Sequence, residues 1–277
     1  MVCILGINAF HADASAALIE NGELVLAAEE ERFTRVKHET GFPISAIKWC
    51  LENSSKTINE IYHIAINTSS SSNFYRKILF TLLNRPNPKF VIDKLISRNK
   101  KNNLEILFKE HFDIKNKNVR YHFLDHHLCH LASAYYCSPF KSTSILSVDG
   151  FGDFASTTWG KGEGGEITKD GQVIFPHSLG IFYTAITQYL GFPNYGDEYK
   201  VMGLAPYGKP KYLHLMRKIL KVKNKGKFEL NLDYFRHSKE RLPYKWDKGA
   251  PSLSNHFSSK FEDLFGLPRQ KDQLINQ

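Results

Sequence analysis

A chain of 277 residues, 42% hydrophobic and 23% charged, is long enough to bury a sizeable core and has the balance of an ordinary globular protein. No apolar run approaches a membrane span, no basic, aromatic-interleaved nucleic-acid motif is present, and the opening MVCILGINAFHADASAALIENG lacks the basic start of a signal peptide. The formal charge of +9 collects in stretches such as MRKILKVKNKGK, which read as solvated faces with a weak pull toward anionic ligands.

Residues 1–31 predict three strands in a row: CILGINAF, ASAALIENG with a turn at Asn21-Gly22, and ELVLAAEEE. PISAIKWCLENS has helical spacing, with Pro43 at a first-turn position. IYHIAINT is a short β-rich run, and Asn73 to Phe112 is mostly helical, broken by NRPNPK. VRYHFLD predicts another strand and HHLCHLASAYY a helix. Four cysteines, Cys3, Cys50, Cys129 and Cys137, show no C-x-x-C pair and no secreted framework, so reduced thiols and a cytoplasmic location are expected.

The pattern then restarts. ILSVDGFGDFAS from Ile145 matches ILGINAFHADAS from Ile4 at five of twelve positions, and Asn8 aligns with Asp149. TTWGKGEGG, EITKDGQVIF with a turn at Asp170-Gly171, and the helix SLGIFYTAITQYLGF repeat the order strand, strand, strand, helix. This resembles the duplicated α/β fold of actin, hexokinase and Hsp70, whose ligands lie in a cleft between two equivalent halves. The expected organisation is a first lobe over residues 1–140 and the start of a second over 141–277, carrying an insertion and incomplete.

On a helix, His126 and His130 stand at i and i+4 on one face, a spacing that lets two imidazoles reach one ion. A bare H-x-x-x-H is common, so this reading needs a partner. Asp149, at the end of the second repeat's first strand, where Gly150 and Gly152 open the backbone around it, is the candidate, with Asp153 a second choice. Two histidines and a carboxylate suit a borderline divalent metal such as iron, zinc or manganese. His11 lies in the corresponding turn of the first repeat. It reads as a surface histidine or as a cleft-facing base for an alcohol at neutral pH.

The stretches ILGINAFHADASAALIENGELVLAAEEERFTRVKHETGFP, DHHLCHLASAYYCSPF, ILSVDGFGD and GDEYKVMGLAPYGKP, in this order, resemble the O-carbamoyltransferases of nodulation and antibiotic tailoring. The resemblance covers their N-terminal domain, itself similar to the tRNA threonylcarbamoyl-transfer protein. It implies that carbamoyl phosphate and ATP give a carbamoyl adenylate in a separate C-terminal domain. The N-terminal domain then moves the carbamoyl group to an acceptor hydroxyl, often of a sugar or natural product. It further implies a metal, iron by preference, on His126, His130 and Asp149, and catalytic roles for His11 and Lys37. Lys37 reads equally as a surface lysine. In EYKVMGLAPYGKP, expected as a cleft-lining loop, Lys200 is a candidate cofactor contact along with Gly150 and Gly152; otherwise the stretch is a turn with Met202 and Leu204 in the core.

The chain is expected to lack the family's adenylate-forming domain and half of the second lobe. It would then be a fragment, or the partner of a separate chain carrying those parts, with little activity alone. A non-catalytic metal-binding remnant and an actin-fold sugar kinase are the competing readings. No nucleic-acid or membrane partner is expected.

Overall fold

The computed structural model describes residues 2–84, 104–240, 242, 244–245, 251–271 and 273–274. It has two compact units, Met1–Cys129 and His130–Gln277.

The first unit opens with the expected meander: β1 (Cys3–Asn8), β2 (Ser15–Glu20) and β3 (Glu23–Glu29), each antiparallel to the next. Asn21 and Gly22 turn between β2 and β3 with positive φ, as a two-residue hairpin requires. Helices α1 (Glu31–Thr34) and α2 (Ile44–Asn53) follow, then β4 (His63–Ile66), α3 (Phe74–Asn84), α4 (Leu104–His111) and β5 (Arg120–Phe123). The five strands form one sheet in the order β3-β2-β1-β4-β5, with β4 parallel to both β1 and β5. Alternate residues Leu5 and Ile7 of β1, Leu18 of β2 and Ile64 and Ile66 of β4 point to one core. Ala46, Ile47 and Cys50 of α2 and Leu104 and Phe108 of α4 pack into it at helical spacing. The break expected at NRPNPK lies, from Arg85 onward, outside the described residues.

Helix α2 has Pro43 before it and no side-chain cap of its own. Its first-turn amides are satisfied by a residue distant in the chain. The carboxylate of buried Glu30 accepts from Ser45 N at 2.9 Å and Ala46 N at 2.8 Å. An anion at a helix N-terminus also meets the favourable end of the helix dipole. Helix α5 (His126–Tyr136) follows β5, and the division between the units falls inside it.

The second unit continues with β6 (Ser142–Gly152), β7 (Ala155–Glu163) and β8 (Glu166–Ile174), again an antiparallel meander, leading to α6 (Leu179–Tyr189). The hairpin between β7 and β8 turns at Gly164 and Gly165, both at positive φ, and not at Asp170-Gly171. Asp170 is the extra residue of a bulge, and Gly171 is needed because a Cβ there would meet the Trp159 ring at 2.3 Å. The stretch EYKVMGLAPYGKP is helical where a loop was expected: α7 (Glu198–Leu204) runs into a short 3-10 turn at Ala205–Tyr207. Met202 is exposed, so it is no core residue.

Beyond lie α8 (Leu213–Ile219), β9 (Leu220–Val222), β10 (Phe228–Leu230), β11 (Tyr244–Lys245), β12 (Ser252–Leu253) and α9 (Lys260–Phe265). This stretch supplies much of the larger of two core clusters in its unit. Phe235, Phe257 and Phe261 pack with Ile181, Ala185 and Tyr189 of α6, and the Tyr189 ring lies 5.2 Å from Phe257 and 5.4 Å from Phe261. The architecture is mixed α/β, and each unit carries three antiparallel strands that lead to a helix. The four cysteines form no disulfide, and no helix among the described residues is long and apolar enough to cross a membrane.

Candidate metal centre and the His11 turn

His126 and His130 occupy successive turns of α5. His126 is buried, and its Nδ1 lies 3.1 Å from the Asn67 carbonyl oxygen. A carbonyl can only accept, so Nδ1 carries the proton and Nε2 is the ring's electron-pair donor. That is the tautomer a metal ligand needs. His130 is more exposed, and its Nε2 lies 3.6 Å from Asp149 Oδ2. This is long for a hydrogen bond. It suits two ligands of one ion, which at tetrahedral bond lengths stand roughly 3.4 Å apart. His130 and Asp149 thus meet within the second unit, and His126 stands one turn earlier on the same helix as His130.

Local structure aims Asp149. The register of β6 against β7 shifts between Val148 and Gly152, and this bulge carries Asp149, Gly150 and Phe151. Asp149 Oδ1 accepts from Gly150 N at 2.6 Å, leaving Oδ2 toward His130. The Asp149 carbonyl accepts from Ser178 Oγ at 3.0 Å, and that hydroxyl oxygen also caps α6 by accepting from Ile181 N. Gly180 sits against the same backbone; a Cβ there would lie 2.7 Å from the Asp149 carbonyl oxygen. Sequence reasoning missed Ser178 and Gly180. A serine before an apolar helix is a readable cap signal, whereas the close approach at Gly180 leaves no mark in the sequence.

His11 lies in the turn between β1 and β2, its ring 5.4 Å from that of His126. Asn8 shapes the turn by donating from Nδ2 to the carbonyls of Ala12 at 3.0 Å and Asp13 at 2.8 Å. Asn67 Nδ2 in turn donates to Asn8 Oδ1 at 3.0 Å. One residue, Asn67, thus fixes both the His126 ring and the amide that shapes the His11 turn. Sequence reasoning missed this pair of asparagines as well.

The other candidates lie elsewhere or do less. Lys37 is exposed, in the segment beside the His11 turn. A Cβ at Gly150 would meet only open space, whereas Gly152 is buried and pairs with Ala155. Lys200, in the first turn of α7, pairs with buried Asp197 at 2.6 Å and lies 5.8 Å from the Phe192 and Tyr199 ring centres. The hydrogen bond to Asp197 raises its pKa, so Lys200 is a charge already paired within its own helix end.

These features define an α/β chain with two candidate histidine ligands on one helix, a carboxylate at a strand bulge, and a histidine turn beside the first histidine. The chain belongs to the carbamoyltransferase N-terminus family, whose model matches residues 3–244. An uncharacterized protein of Synechocystis, sll1178, is 36% identical over 99% of this chain and 44% of its own length. The nodulation protein NolNO of Sinorhizobium fredii is 33% identical over 90% of this chain and 36% of its own length. The chain therefore spans less than half of either relative. The solved structure of YeaZ from Pseudomonas aeruginosa overlaps 64% of this chain and 68% of its own at 16% identity and a TM-score of 0.31, too loose a likeness to establish a shared fold.

Proposed function

We propose that this chain is the transfer part of an O-carbamoyltransferase with an actin-like duplicated fold. In this reading it takes the carbamoyl group of carbamoyl adenylate, made from carbamoyl phosphate and ATP, to an acceptor hydroxyl of a sugar or natural product. The observation that carries the reading is the placement of the His11 ring against His126, itself held in a ligand-ready tautomer.

The donor is a mixed anhydride with a good leaving group. The acceptor oxygen bonds to the carbamoyl carbon, the bond from that carbon to the phosphate oxygen breaks, and AMP leaves. His11 takes the hydroxyl proton. Lys37 meets the phosphate oxygens as a point charge. His126, His130 and Asp149 would hold a divalent ion, iron by family resemblance, whose charge when bound stabilises negative charge on oxygen. A bare metal-binding role would leave the neighbouring His11 turn without a task.

The test supplies synthetic carbamoyl adenylate to the chain with a panel of sugars and reads product mass and AMP release. The expected result is a carbamoyl mass gain, slow in the isolated chain, that His11→Asn abolishes while metal content is unchanged. A phosphate mass gain with ATP would favour a kinase, and metal binding without any transfer would favour the non-catalytic reading.

A further inference from the structure

His38 lies outside the residues assigned a role above, yet it touches the His11 turn directly. Its Nδ1 is 2.8 Å from Asp13 Oδ1, and Asp13 is two residues from His11 in the same turn. The backbone N–H of His38 donates to Glu31 Oε2 at 3.0 Å, which seats the histidine from behind. On either side, main-chain bonds lace the two segments: Phe10 N to Gly41 O and Ala14 N to Glu39 O, both at 2.9 Å. The turn needs such fastening. Phe10 and Asp13 both have φ above +60°, a region that non-glycine residues enter only when their surroundings hold them there. His38 is itself at φ 55°.

Asp13, Glu31 and His38 bring ligand atoms within 4.8 Å of one another. Hydrogen bonds already account for that grouping, since Glu31 accepts the His38 amide and Asp13 meets the ring. The grouping is a latch.

We propose that His38 is a positioning residue: through Asp13 it holds the His11 ring at His126, and it ties that turn to the segment carrying Lys37. Two groups that must act on opposite sides of one breaking bond are thereby set by one side-chain contact between two main-chain bonds. A shift of about 1 Å in a reacting group is enough to cost on the order of a hundredfold in rate. The structural claim stands by itself, and only its kinetic consequence rests on the proposed transfer reaction.

Three variants test it in the full chain. Asparagine places an amide donor where Nδ1 was and tolerates positive φ. Glycine frees the backbone and removes the donor. Asp13→Asn removes the charge. In wild type, nuclear magnetic resonance should show a cross-peak between the His11 and His126 rings. His38→Gly should lose it and speed hydrogen exchange at Phe10 and Ala14 amides, with the amides of α2 unchanged. His38→Asn should restore both, and Asp13→Asn should fall between. A cross-peak retained in His38→Gly would overturn the proposal, as would its loss in His38→Asn with α2 intact. Loss of the measured features on chelation would show instead that a cation holds the three residues. With carbamoyl adenylate, kcat should fall in His38→Gly and recover in His38→Asn at unchanged acceptor KM. If the ring contact is lost but transfer is unaffected, the role given to His11 fails and the latch remains.

Discussion

The Nδ1 of His126 donates to the carbonyl oxygen of Asn67 at 3.1 Å, and this bond sets Nε2 as the ring nitrogen that carries the electron pair. A backbone carbonyl is a fixed partner, so the ring neither flips nor changes tautomer without cost. His126→Ala and Asp149→Ala should each reduce bound iron or zinc in purified protein to background. His130→Ala, which removes the most exposed ligand, should weaken binding at least tenfold by titration with a chromophoric chelator. Equal metal content in wild type and all three variants would remove the site.

Glu30 gives a test of the scaffold behind the His11 turn. Its buried carboxylate makes two charge-assisted bonds to the first amides of α2. Glu30→Ala strands both amides in a buried setting and should lower stability by about 2–3 kcal/mol, read from the urea midpoint. Glu30→Gln keeps one acceptor oxygen and should lose about half of that. Metal content should not change in either variant.

Three histidines of the second unit, His177, His237 and His256, are held neutral by burial, which lowers the pKa of each. His256 is pushed to about 4, by burial first and by neighbouring His237 second. The ordinary value near 6.5 applies once the chain unfolds. Between these values unfolding takes up a proton, so stability rises with pH. Its full value is reached above about pH 6.5 and is lost as the pH falls toward 4, by about 3 kcal/mol for His256 alone. His256→Gln should flatten the stability profile in that window by about one proton, measured by denaturation at several pH values. An unchanged slope would show that His256 is protonated in the folded state.

How far the sequence could be read depends on the range of the forces involved. Period-two alternation in CILGIN and SAALIE, and the Asn21-Gly22 turn, are local signals and mark the first meander well. The i, i+4 histidines and the aligned Asp149 are equally legible, because a helix repeat and a strand end set their positions. Tertiary approach overrides local signals elsewhere. Asp170-Gly171 reads as a turn, yet its glycine exists to admit the Trp159 ring. Pro206 and Gly208 likewise make EYKVMGLAPYGKP read as a loop, yet Tyr183 and Thr184 of α6 bond to Glu198 and favour a helix start there. The Asn8 and Asn67 pair joins residues far apart in the chain, and no local spacing reveals it.

The last prediction concerns strand β6. Among the described residues its one strand neighbour is β7, so it forms the edge of its sheet. Its outward residues Leu146 and Val148 are 63% and 49% exposed, alternating with buried Ile145 and Ser147. An edge strand with an exposed apolar face is a template for another strand. The isolated chain should therefore self-associate as its concentration rises, and sedimentation velocity would show it. Leu146→Lys with Val148→Lys places charge on that face without touching the buried side, and should return the chain to monomer with an unchanged circular dichroism spectrum. Identical association in wild type and the double variant would mean that a different surface drives it, while a monomeric wild type at high concentration would show that this edge is covered in solution.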